Sequence, residues 1–187
     1  TTTDGIHDPA QAWNALCVGA YTQKVTIDPP NPGLRPIAAA GSLSPYSTTS
    51  GTWSNSAWPL KPDVVFEGGN LATDGQQAYT EPCLSLVTTA HEPEQRLLTT
   101  TSATSAASAL AARMAAQVST NYPQLWPETV RALIVHSAEW PDRMRQDFLA
   151  AGTKAGYENL VKHCGFGVPD LSRALWSAGD SLTMIVE

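Results

Sequence analysis

The sequence predicts an α/β fold. Three short runs, "WNALCVGAYT" at 13–22, "DVVFEGG" at 63–69 and "CLSLVTT" at 83–89, have the length and apolar content of strands. Helical patterns crowd into the second half, from the alanine-rich stretch after Ser105 onward. Strands and helices together, with the helices concentrated C-terminally, make an α/β domain or part of one. The 187 residues suffice for one domain with a sizeable core.

Taken in order, residues 1–12 read as loop, and 13–22 as a buried strand around Gly19. The stretch 23–62 is rich in Pro, Gly and Ser and reads as turns and irregular connections. The strand at 63–69 stops at the paired glycines Gly68 and Gly69, and 83–89 alternates apolar and hydroxyl residues. From Ser105 to about Val118 a helix carries Ala, Leu, Met and Val on all sides, the mark of a helix buried all round. A second helix lies within 121–140, where Pro127 and Glu128 suit a first turn. A third spans 141–152, closed by Gly152. A glycine turn and a short helix occupy 163–179, and "SLTMIVE" closes the chain as a strand.

Composition narrows the function. Apolar residues make up 42%, charged residues 15%, and the formal net charge is −6. No Lys/Arg cluster offers a nucleic-acid footprint, and no apolar run reaches bilayer-spanning length. Neither nucleic acid nor a membrane is expected as a partner. The opening "TTTDGIHDPA" has no signal-peptide character, and the absence of an initial Met points to a processed or artificial end. Cys17, Cys83 and Cys164 are odd in number and far apart, which fits buried or half-buried thiols better than a disulfide scaffold or metal site.

The most informative stretch is "TTTSATSAASALAARMAAQ", 99–117. Small hydroxyl residues stand at the mouth of a helix, where backbone N–H groups point outward unpaired at the positive end of the helix dipole. A serine there can attack a carbonyl while those N–H groups hold the developing oxyanion. The commonplace alternative is that Thr104 or Ser105 caps the helix.

The surroundings favour chemistry. "ATSAASALAARMAA", 103–116, resembles the nucleophile motif of subtilisin-like serine proteases, Gly-Thr-Ser-Met-Ala-x-Pro, at Thr104, Ser105, Ala107 and the small-residue helix that follows. "KPDVV" at 61–65, "GSLSPYSTTSG" at 41–51 and "DPAQAWNALCVGA" at 8–20 resemble three further stretches of that family in its order. "PQLWPETVRALIVHSA" at 123–138 and "CGFGVPDLSRAL" at 164–175 resemble its closing signatures. The resemblance implies a mostly parallel sheet with helices on both faces, a three-layer fold in which the nucleophile helix is buried. It makes Ser105 the nucleophile and one oxyanion donor, with Thr104 in support. The implied reaction is peptide-bond hydrolysis through an acyl-enzyme, with polypeptide substrates.

The chain lacks the family's Asp-Thr/Ser-Gly and His-Gly-Thr motifs, and the Ala-Gly-Asn stretch would fall just before residue 1. Residues 1–187 therefore resemble the C-terminal portion of the catalytic domain, whose N-terminal half would be a partner. Alone, the chain is expected to be inactive. Of the histidines, His136 reads as packed or at the surface, His163 as exposed, and His91 as near enough to approach the cleft. His7, counted back from Val18-Gly19-Ala20, falls where the family places the floor of its substrate pocket, and could favour acidic or polar side chains. Ala103, Ala106 and Ala109 replace the family's Gly, Met and Pro, and Glu67 stands in a departure from Ala-Pro-Gly that would bring a carboxylate near the cleft. Those departures keep open a catalytically degenerate, protease-like domain that acts as a peptide-binding or structural module. The "ATSAAS" stretch also resembles the sedolisin-like Gly-Thr-Ser-Ala-Ser, although the rest fits the subtilisin-like side. No cofactor is implied. Calcium is common in the family, but no carboxylate cluster assigns a site.

Overall fold

The computed structural model describes residues 5–53 and 59–179. Eight strands run in chain order as β1 (Val18–Thr22), β2 (Arg35–Pro36), β3 (Ser42–Leu43), β4 (Val64–Glu67), β5 (Ala72–Thr73), β6 (Ala78–Tyr79), β7 (Leu86–Thr89) and β8 (Leu98–Thr101). Five helices follow: α1 (Ala103–Asn121), α2 (Pro127–His136), α3 (Asp142–Phe148), α4 (Lys154–Cys164) and α5 (Leu171–Gly179). The molecule is a mixed α/β structure.

The sheet that organises the core has the order β3-β1-β4. β1 and β4 run parallel, with Val18 opposite Val64 and Tyr21 opposite Glu67. β4 is apolar on both faces because both faces are covered. Val64 and Phe66 pack with Ala107, Ala111 and Met114 of α1 and with residues of α2 and α5. Val65, one residue out of phase, packs with Met144 of α3 and with Leu160 and Cys164 of α4. Helices thus lie on both faces of this sheet.

The expectation of a mostly parallel sheet is corrected. β1–β4 is the only parallel strand pair among the described residues; β1–β3, β2–β5, β5–β6 and β7–β8 are antiparallel. Connection length is the reason. A long excursion separates β1 from β4 and permits a crossover, whereas β5–β6 and β7–β8 are hairpins, which can only be antiparallel.

The expectation that α1 is buried all round is corrected as well. Ala106, Ala107, Ala111, Met114 and Val118 are buried, while Ser105, Ser108, Ala109, Ala112 and Ala116 form an exposed stripe. Alanine suits either environment, so an all-alanine surround does not show which face is covered. α3 ends at Phe148, short of the expected stop at Gly152. α4, not foreseen, starts where the Thr153 hydroxyl accepts from Gly156 N at 3.2 Å. The strand expected at 181–187 lies outside the described residues.

A buried ion pair ties β1 to β4. The Lys61 side chain is 1% exposed, and its Nζ lies 2.8 Å from Asp63 Oδ2. The same ammonium donates to Ala15 O at 3.1 Å, and the same carboxylate oxygen accepts from Cys17 N at 2.7 Å. Every group of the pair thus bonds backbone on the β1 side as well as its partner. Lys61→Met should leave Asp63 with only Arg131, at 3.6 Å, as a charge partner and cost about 3 kcal/mol, measured as a lowered urea midpoint.

The cysteines are free. Burial pushes the Cys17 thiol up to about 11, the charge of Lys61 acting against it. Burial likewise raises Cys164, with Asp147 adding to the effect. Both sites disfavour the thiolate, the reactive form. Alkylation at pH 8 should therefore modify half-buried Cys83 first, with Cys17 and Cys164 reacting only after denaturation, as read by peptide mass spectrometry.

Candidate active site

Ser105 stands in the first turn of α1, exposed to solvent. The N-cap position belongs to Ser102, which is extended and makes no side-chain cap hydrogen bond. The hydroxyl cluster is therefore not a helix cap, either at Ser102 or at Thr104 and Ser105, which lie inside the helix. First-turn N–H groups left without a side-chain cap, beside an exposed hydroxyl and at the positive end of a 19-residue helix, are an arrangement that stabilises an oxyanion.

What seats this turn is the end of β4. Ala103 N donates to Gly68 O at 2.8 Å. A Cβ on Gly68 would come within 2.5 Å of Ala20 Cβ and 3.1 Å of Ala103 O, so only glycine lets β1, β4 and the start of α1 converge. Gly69 holds φ 80°, and its carbonyl accepts from the Ser44 hydroxyl at 2.6 Å. The fully buried Asn70 takes Ala38 N on its Oδ1 and donates to the carbonyls of Lys24 and Ala38. Sequence reasoning missed Asn70; its only signal was a polar residue directly after paired glycines. The site thus lies at the carboxyl end of the parallel pair, where open α/β sheets place theirs.

Glu67 does not present a free carboxylate to the cleft. Its two oxygens accept from Gln23 N at 2.7 Å and Gly69 N at 2.9 Å, so it braces the backbone around the site.

Beside Thr104 opens a cavity of about 440 Å³. Ile6, Pro9, Leu16 and Val18 line it on one side, with Thr104 and Ser108 of α1 on the other. His7 lies between Ile6 and Pro9 in the chain, is exposed, and is not part of that lining.

None of the four histidines hydrogen-bonds to Ser105 among the described residues. His91 is 80% exposed and sits 3.5 Å from Glu92 in the β7–β8 connection. The whole ladder from Thr89–Leu98 to Leu86–Thr101 lies between it and Ser102, so the expected approach to the cleft does not occur. His136 is exposed at the end of α2. His163, expected to be exposed, is half-buried: it stacks on Phe148 at 4.7 Å, and its Nδ1 lies 2.8 Å from Asn159 O. The chain supplies a hydroxyl and N–H donors here without a base in contact. Among the described residues, no group of three His, Cys, Asp or Glu side chains could hold a metal ion.

The sequence model of the subtilase family matches residues 1–167. An uncharacterized protein of Sinorhizobium fredii (strain NBRC 101917 / NGR234), y4bN, is 30% identical over 188 residues, which is 96% of this chain and 42% of that protein. The chain thus spans under half the length of that curated relative. No solved structure matches the chain. A family match over most of the sequence, and a hydroxyl-bearing helix start seated on the Lys-Pro-Asp-Val-Val strand, lead to one assignment: the chain belongs to the subtilase family.

Proposed function

We propose that the chain is the nucleophile-bearing part of a serine endopeptidase that hydrolyses polypeptides through an acyl-enzyme on Ser105. The observation that carries this reading is the exposed Ser105 in the uncapped first turn of α1. Its hydroxyl attacks the scissile carbonyl and forms the ester as the C–N bond breaks and the amine leaves with the proton carried by the base; water then cleaves the ester, and the Ser105 N–H, supported by Thr104, holds the tetrahedral oxyanion in both steps. The base that removes the hydroxyl proton comes from outside residues 1–187. An unassisted serine is a poor nucleophile at neutral pH, so the chain alone is inactive.

The missing half is the partner in this reading. Two features support where it docks: the exposed stripe of small residues on α1, and the cavity between that helix and the start of β1. The edge of β1 away from β4 is itself covered by the chain, through β3 at Tyr21 and Thr22 and through Ser44 and Ser47 at Ala20. His7, in the loop that forms one wall of the cavity, stays a candidate for contact with the substrate side chain.

A second reading has one observation in its favour. Ala103, where the family has glycine, takes a backbone conformation that alanine disfavours. A relative that has lost catalysis, and binds peptides only, could accumulate such a change.

Fluorophosphonate labelling separates the two. We expect Ser105 to be labelled in the parent protein with its upstream half, with labelling abolished by Ser105→Ala and absent from the isolated chain. A folded parent that resists the probe would establish the binding reading instead. Peptide hydrolysis by the isolated chain at the rate of a complete subtilase would refute the claim that it is inactive alone.

A further inference from the structure

Ala103 is the only non-glycine residue with a positive φ among the described residues, at 70°. A side chain with a Cβ avoids this region because the Cβ crowds the neighbouring carbonyl oxygen. Such a conformation persists where the surrounding structure over-determines it. Here the clamp is visible. Ala103 N donates to Gly68 O at 2.8 Å, and the Ala103 carbonyl lies over the bare Cα of Gly68. The Ser102 side chain lies over Gly69, where an added Cβ would meet it at 3.3 Å. β8 pairs with β7 up to Thr101, so the chain arrives in a fixed direction. It leaves as α1, packed on β1 and β4 through Ala107 and Ala111. The change of direction between them falls on Ser102 and Ala103.

We propose that Ala103 is a positioning residue for Ser105: its left-handed backbone, clamped on Gly68, sets the exit direction of α1 and with it the aim of the Ser105 hydroxyl and first-turn N–H groups. This rests on the serine-peptidase reading above. Ala103 touches no substrate atom in this scheme and acts only through the turn. Handedness, rather than the size of the side chain, is the property that matters.

Three substitutions in the full parent protein test it. Glycine adopts a positive φ freely, asparagine tolerates it, and valine resists it although it is close to asparagine in size. Each variant is treated with a fluorophosphonate, and the maximal labelling rate is separated from the concentration dependence. Rates should fall in the order Ala103→Gly, Ala103→Asn, Ala103→Val, with valine at least ~10-fold below glycine. The loss should lie in the maximal rate, with half-saturation and far-ultraviolet circular dichroism unchanged. Should Ala103→Val not fold, Ala103→Gly decides, because with the turn already clamped it must label at least as fast as the wild type. Equal rates across the series, asparagine and valine falling together, or a glycine variant slower than wild type would each overturn the proposal. A folded wild type that never labels would instead remove the peptidase reading, and with it any nucleophile to position.

Discussion

The structure depends first on the Lys61–Asp63 pair. A parallel strand pair has no hairpin to set its register, and β1 and β4 are joined only by a long Pro- and Gly-rich excursion. Lys61 and Asp63 supply the missing constraint. One ammonium and one carboxylate reach across to Ala15 and Cys17, just before β1, and fix the strands at their amino ends. From that end the register runs on to Glu67 and the two glycines. The position of Gly68, and so of α1, is therefore set by a charge pair at the far end of the same short strand.

At the site end the polar groups are spent on backbone. Glu67 closes on two N–H groups, Ser44 on a carbonyl, and Asn70 on both sides of Ala38. Such bonds rigidify the loops that hold the first turn of α1. Ser105 is different in kind: it stays exposed, in a first turn that its own N-cap residue leaves unbonded. The contrast is between saturated supports and an unspent hydroxyl at the start of α1.

Much of this was legible in the residues. The strand at 63–69 and the helix after Ser105 appear where apolar runs and glycines placed them, and the motif located Ser105 and Thr104 at the helix start. What was not legible has physical causes. α4 buries only Leu160 and Cys164 fully and carries Gly156 in its first turn, so its apolar stripe is too thin to read. β8, "LTTT", has no apolar alternation, and its pairing comes from β7. Glu67 looked free because its partners are backbone groups, one of them 44 residues away. Ala103 showed only as a departure from a motif, since handedness is a property of the fold around it.

The connection between β7 and β8 has a consequence for the lifetime of the molecule. Residues 91–98 are all exposed, with Leu97 at 74% and Leu98 at 61%. Exposed loop tips are where proteolysis concentrates. A cut in this connection would fall at most fourteen residues before Ser105. Both new ends would remain anchored, since Leu84 O holds Asn70 N on one side and Gly68 O holds Ala103 N on the other. Cleavage there would yield two fragments that still travel as one particle, with Ser105 in its seat.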